Sequence, residues 1–165
     1  MLAQVEPPTA ALRAHQELLA YWTARKDRGR LPGRASIDPR DLKRLLPTVS
    51  LIDVRRDGAE RRYRLRLAGT GLYRVFGGEI TGKALEEVYP AEICATWRSE
   101  LDGVVESCRP AVGVQSFAWR GAAHLSTMWL RLPLATDGRE VDMILGYDAP
   151  LGGQPGAVRS GIRAA

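Results

Sequence analysis

Residues 62–67 run Arg62-Tyr63-Arg64-Leu65-Arg66-Leu67, an unbroken alternation of charged and apolar or aromatic side chains. A strand satisfies this pattern and a helix does not, because successive strand residues point to opposite faces. Tyr63, Leu65 and Leu67 therefore share one face, and Arg62, Arg64 and Arg66 the other. Just upstream, Leu51-Ile52-Asp53-Val54-Arg55 also reads as a strand, and Asp57-Gly58 between the two is a turn signal. The segment is thus a β-hairpin with one face for a core. An isolated hairpin is barely stable in water, so the rest of the chain must supply further strands and a cover.

Three later segments supply the strands. Val112–Arg120, His124–Leu134 and Glu140–Tyr147 are rich in Gly, Trp, Val and Leu. They are joined by Arg120-Gly121-Ala122-Ala123 and by a stretch holding the Asp137-Gly138 turn, connections short enough for antiparallel pairing. Between the two β groups the periodicity is helical. Thr70–Phe76 carries Leu72, Val75 and Phe76 and is broken by Gly77-Gly78. Thr81 caps a second short helix with Leu85 and Val88 inward, ended by Pro90. A longer helix over about 91–107 places Ile93, Trp97, Leu101, Val104 and Val105 at helical spacing before Arg109-Pro110.

Ahead of the hairpin, an amphipathic helix is predicted from Thr9, as its cap, to about Lys26, with Leu12, Leu19 and Trp22 on one stripe and Leu18 beside it. A linker, Arg28–Ala35, leads to a short helix begun by Asp38-Pro39, carrying Leu42, Leu45 and Leu46, and stopped by Pro47. The predicted class is α+β: a five-stranded antiparallel sheet with a helical block on one face and an extra N-terminal helix. The predicted divisions are 1–27 for that helix, 28–148 for the domain, and a Gly/Pro-rich flexible tail over 149–165.

Several functions are argued against by what is missing. A chain of 165 residues suits one domain with a full core. Cys94 and Cys108 form neither a CxxC pair nor a disulfide framework, and His15 and His124 form no HxH or HExxH spacing, so no metal site is expected. No GxSxG, GxxxxGK[ST] or GxGxxG string occurs, and Glu86-Glu87 are adjacent on a helix and point apart, so no enzyme is expected. Net charge is +5, yet 21 of the 24 basic residues are Arg and acidic residues are interspersed throughout. That composition does not by itself call for a nucleic-acid partner, and no basic recognition helix or aromatic-basic RNA motif is visible. Residues 1–10 lack a cationic start followed by an apolar run, and no apolar stretch approaches the ~20 residues of a membrane span, so a cytoplasmic location without membrane contact is expected.

An ordered set of strings adds to this. Leu19-x-Tyr21-Trp22, Leu31-Pro32-x-Arg34, Ile37-Asp38-Pro39 and Leu45-Leu46-Pro47 are followed by Asp53-Val54 and by Tyr63-Arg64-x-Arg66-Leu67-Ala68-Gly69-Thr70. Then come Phe76-Gly77-Gly78-Glu79-Ile80-Thr81-Gly82-Lys83, Leu132-Pro133-Leu134, Asp137-Gly138 and Met143-Ile144-Leu145-Gly146. Over about residues 17–148 the chain resembles the PAS domain superfamily, in particular a bacterial PAS-like subfamily of short, often stand-alone proteins. The resemblance implies a sensor or interaction module in bacterial signalling. Such a module holds a small molecule between helices and sheet, or meets a partner through the sheet's outer face.

Under that resemblance haem is disfavoured, because residues 69–108 contain no His to serve as axial ligand. Flavin photochemistry is disfavoured because neither Glu92-Ile93-Cys94-Ala95 nor Ser107-Cys108-Arg109 matches the reactive-cysteine string of the light-sensing subtype; the cofactor, if any, stays unassigned. Tyr73, Phe76, Trp119, Met128 and Trp129 are the candidate lining of an organic-ligand pocket, or else plain core residues. Both faces of the 124–134 strand carry large apolar groups: Met128, Leu130 and Leu132 on one, Leu125 and Trp129 on the other. One face meets the helical block. The other, taken as that of Leu125 and Trp129, calls for cover by Leu12, Leu18, Leu19 and Trp22 of the N-terminal helix, from the same chain or from a homodimer partner. Arg62, Arg64 and Arg66 are candidate anion ligands, or an exposed face paired to Asp53.

Overall fold

The computed structural model describes residues 9–151 and 159–162, the latter as backbone. The strands are β1 (Val49–Asp57), β2 (Glu60–Ala68), β3 (Ala111–Phe117), β4 (Ala122–Leu134), β5 (Met143–Leu151) and β6 (Arg159–Ile162). They form one antiparallel sheet in the order β2-β1-β5-β4-β3-β6. The first five are the predicted platform. The sixth lies within the predicted flexible tail, and β5 also runs past its predicted end to Leu151; residues 152–158 and 163–165 of that tail lie outside the described residues.

The hairpin pairs as the alternation requires from Tyr63 to Leu65, with Val54 opposite Tyr63 and Asp53 opposite Arg64. A register shift between Leu51 and Ile52 breaks the pattern beyond, so Leu67 does not share the buried face of Tyr63 and Leu65 and is exposed. The helical block is α2 (Leu72–Phe76), α3 (Leu85–Val88) and α4 (Ala91–Ser107). α2 ends on Gly77 at φ 74°, a left-handed position that glycine takes without strain. Thr81 is not the cap predicted for the next helix. α3 starts after Ala84, whose N–H donates to the Glu87 carboxylate at 2.7 Å. The 82–84 segment instead runs beside β2: Leu65 N–H donates to the Lys83 carbonyl, and Gly82 N–H to that of Leu65.

The predicted N-terminal helix is α1 (Thr9–Thr23), ending three residues short of the predicted Lys26, and it packs on β4 and β5 of its own chain. Its buried stripe is Ala11, His15, Leu18 and Trp22. Leu12 is exposed and Leu19 only half-buried, so hydropathy placed the stripe about one position off. Two hydrogen bonds to sheet carbonyls decide the face presented. His15 Nε2 donates to Met128 O and Trp22 Nε1 to Pro133 O, each at 2.9 Å. The His15 ring also meets Tyr147 edge-on at 5.6 Å.

The face assignment of β4 is corrected in the same way. Trp129 points at the helical block, its ring 5.1 Å from Trp97 of α4. The side covered by α1 is therefore that of Met128, Leu130 and Leu132, not that of Leu125 and Trp129. Leu125, half-buried, packs in a small cluster with Val75, Phe117 and Ala122.

Candidate ligand site between helices and sheet

The inner face of the sheet carries Ser50 and Ile52 (β1), Leu65 (β2), Gln115 (β3), Thr127, Trp129 and Arg131 (β4), and Asp148 (β5). The helical block sets Phe76, Tyr89, Trp97 and Leu101 over it. Aromatic rings form a continuous chain. Phe76 meets Tyr89 at 5.8 Å and Phe117 at 5.1 Å; Tyr89 meets Trp97 at 6.0 Å and Trp119 at 5.4 Å.

A buried ion pair sits inside this cage. Arg131 Nη2 lies 3.1 Å from Asp148 Oδ1, with side chains only 5% and 2% exposed. The guanidinium carbon lies 4.8 Å from the Trp97 ring centre and 5.6 Å from that of Trp129, within cation–π range. Arg131 Nη1 donates to the Leu130 and Tyr147 carbonyls. Two glycines make room. A Cβ on Gly146 would strike Ser50 Oγ, and one on Gly113 would strike the Trp129 ring.

Five buried polar atoms here have no partner: Gln115 Nε2 and Oε1, Thr127 Oγ1, Trp119 Nε1 and Arg131 Nε. Gln115 and Thr127 face each other across β3 and β4. Burial drives the Tyr89 phenol well above its ordinary pKa, and the nearby Gln115 amide acts against that push, yet neither amide atom reaches hydrogen-bond geometry. Native cores satisfy nearly all such groups, so these atoms call for a partner from outside the chain, a bound water or a ligand. The free volume beneath the helices is about 20 Å³, room for about one water. A larger open groove of about 690 Å³ runs outside α4 past Glu86, Arg98 and Asp102. Its charged groups are already engaged: Arg98 with Glu86, and Asp102 with Arg61 and the Tyr63 hydroxyl. The inner site is the stronger candidate on chemistry.

Of the predicted pocket residues, Phe76, Trp119 and Trp129 come together here. Tyr73 does not, being 58% exposed on α2, and Met128 lies on the opposite face of the sheet beneath α1. Gln115, Thr127, Arg131 and Asp148 were not foreseen. The available signal was a polar or charged residue inside a strand that is apolar on both faces.

α4 is tied to β2 by Arg98 Nη1 donating to the Arg61 carbonyl and by Asp102 accepting from Arg61 and Tyr63. The α2–α3 part of the block is fastened to the sheet at two further places. On the β2 side, Arg64 Nε donates to the Gly82 carbonyl, adding to the backbone pairing of 82–84. On the β3–β4 side, Arg120 donates from Nε to the Val75 carbonyl at 2.8 Å and from Nη2 to that of Arg74 at 2.9 Å. The arginine ladder is likewise engaged. Arg66 lies 3.2 Å from Asp53 and Arg62 3.3 Å from Asp57.

Among the described residues, no group of three His, Cys, Asp or Glu is placed to hold a metal ion, and no helix is long and apolar enough to cross a membrane. No curated protein matches the sequence. Among solved structures, the Rhodobacter sphaeroides LOV protein is similar at 14% identity and a TM-score of 0.48, over 83% of this chain and 68% of that one. An RNA-binding light-oxygen-voltage receptor is similar at 14% identity and a TM-score of 0.43, over 74% of this chain and 36% of that one. A sequence model described as "PAS domain" matches residues 11–148. With most of its length matched in this way, the chain belongs to the PAS domain family.

Proposed function

We propose that this PAS domain is a sensory and interaction module of bacterial signalling, cytoplasmic and without catalysis of its own, that takes a small molecule between helical block and sheet and acts through protein contacts. The orphaned inner-face atoms of Gln115, Thr127, Trp119 and Arg131 carry this reading. Each such group left dry costs about 1–3 kcal/mol, and a ligand that hydrogen-bonds them offsets that cost. The site is neutral overall, since Arg131 and Asp148 cancel. It is walled by aromatic rings and offers more donors than acceptors, which suits a neutral, planar molecule rich in acceptor atoms. With room for about one water in the present arrangement, ligand entry requires α2 and α3 to move outward. A ligand that fits only the open arrangement shifts the population towards it, and that shift is the signal.

Native mass spectrometry and an absorption spectrum of the purified chain test this. The expected result is a small molecule retained under native conditions and lost on denaturation. Gln115→Leu with Thr127→Val abolishes retention and makes the empty protein more stable by about 1–3 kcal/mol, because the orphaned groups are gone. A ligand-free native mass, together with no gain in stability in the double variant, overturns the reading.

The small cavity favours a second reading, a homodimeric adaptor with a filled core and no ligand. A ligand-free native mass at twice the chain mass supports it. The third reading, anion or nucleic-acid binding through Arg62, Arg64 and Arg66, has less support, because Arg62 and Arg66 already face carboxylates and Arg64 a carbonyl.

A further inference from the structure

The two edges of the sheet are defended very differently. β2, Glu60–Ala68, carries Glu60, Arg61, Arg62, Arg64 and Arg66, and the 82–84 segment lies along it. Charge and cover are the usual protections of an edge strand against pairing with another sheet. β3 has neither in its own sequence. Ala111-Val112-Gly113-Val114-Gln115-Ser116-Phe117 contains no charged residue and no proline. Its cover is β6, four residues long, with Ile162 opposite Val112 and Arg159 opposite Val114, and with an irregular register between them. The stretch of β3 beyond Val114 has no β6 partner in that register.

We propose that the β3 edge is a self-association surface of this chain, and that residues 159–162 are its detachable cover. The occupant is a second copy, through its own β3. Two β3 edges related by a two-fold axis pair antiparallel, the only sense in which an edge meets its own copy isologously. That pairing brings Val112 and Val114 of the two copies onto one face with no charge repulsion. It also offers a ladder along the seven residues of β3, against two residue pairs for β6. The side chains of Val112 and Val114 are half-buried, leaving apolar surface at the edge for a second copy to cover. The inference does not depend on whether the inner site holds a ligand.

The test uses the full chain carrying Ser160→Pro and Ile162→Pro, since proline removes the backbone donors that a strand needs. Sedimentation velocity across a concentration series is expected to show a twofold step in mass relative to the unsubstituted chain. Amides of residues 111–115 should gain hydrogen-exchange protection in the associated form. Adding Val114→Lys, or in a separate chain Val112→Lys, places a charge on the edge and returns the mass to its starting value. No step in mass, or a step that both lysine variants leave in place, overturns the proposal. Association of the unsubstituted chain through another face leaves the result readable, because both arms are measured from that chain's own mass.

Discussion

At the scale of single residues, Arg131 and Asp148 are the least expected occupants of this core. A buried pair of this kind is held by its hydrogen bonds and adds little stability on its own, but breaking it strands a charge. Asp148→Ala leaves the guanidinium with carbonyls and rings only, and is expected to cost about 3–5 kcal/mol. Arg131→Met combined with Asp148→Leu removes both charges and is expected to lie close to the unsubstituted chain. Urea unfolding midpoints check the order: the single variant must fall below the double. The sequence does not mark these two as buried, because charged residues are ordinarily exposed. Yet Arg131 stands in Met128-Trp129-Leu130-Arg131-Leu132, where neither neighbouring face is polar enough to lead it out to water. Trp129 shows the opposite failure. Its burial was plain, but its side was not, because period-two alternation cannot name the facing element when both faces are apolar.

Among the elements, α1 is tied to the sheet through a titratable ring. Burial lowers the His15 pKa, its hydrogen bond to Met128 O and the Asp148 charge act upward, and Arg131 acts downward. Tyr147 packs against the same ring. The docked helix therefore favours the neutral ring of His15. A base whose folded pKa lies below its unfolded value contributes stability that is complete above the unfolded value, near 6.5, and is lost as pH falls towards the folded one. Hydrogen exchange of α1 amides, relative to those of β4 and β5 and corrected for intrinsic rates, is expected to quicken between pH 7 and pH 5. In His15→Gln, which keeps a donor, that pH dependence should flatten. The helix itself was legible from Leu18 and Trp22. Its facing was not, because a histidine that donates to a strand carbonyl outcompetes Leu12 for the inner stripe. β2 and α4 lie close to their predicted bounds, since their periodicity is clean over most of their length, whereas β1, buried on both faces over 49–52, runs two residues further at each end than predicted.

For the whole molecule, the two hairpin groups and the siting of 72–107 on one side of the sheet followed from segment order and short connections, whereas the β1–β5 pairing that joins the groups did not. The position of β6 did not: four residues after a Gly/Pro-rich stretch carry no alternation long enough to read. The inner site lay between these extremes. Its aromatic members were visible in the sequence, while its polar members came together only because β3, β4 and β5 are adjacent.

The fastening of the α2–α3 part of the helical block at its two margins is unequal. Beside β2 it is joined by main-chain pairing that several residues share, so one side-chain change there undoes little. Beside the β3–β4 hairpin the hydrogen bonds to the last turn of α2 come from one guanidinium, that of Arg120, in addition to the apolar contact of Val75 and Phe76 with Phe117. That part is thus hung like a door, pivoting near residues 82–84 and latched at residue 120. Arg120→Ala should unlatch it, raising hydrogen exchange over residues 72–78 while that of 82–88 stays unchanged. Equal acceleration of both stretches would mean that the panel lifts off whole, with no pivot to guide which side a visitor enters.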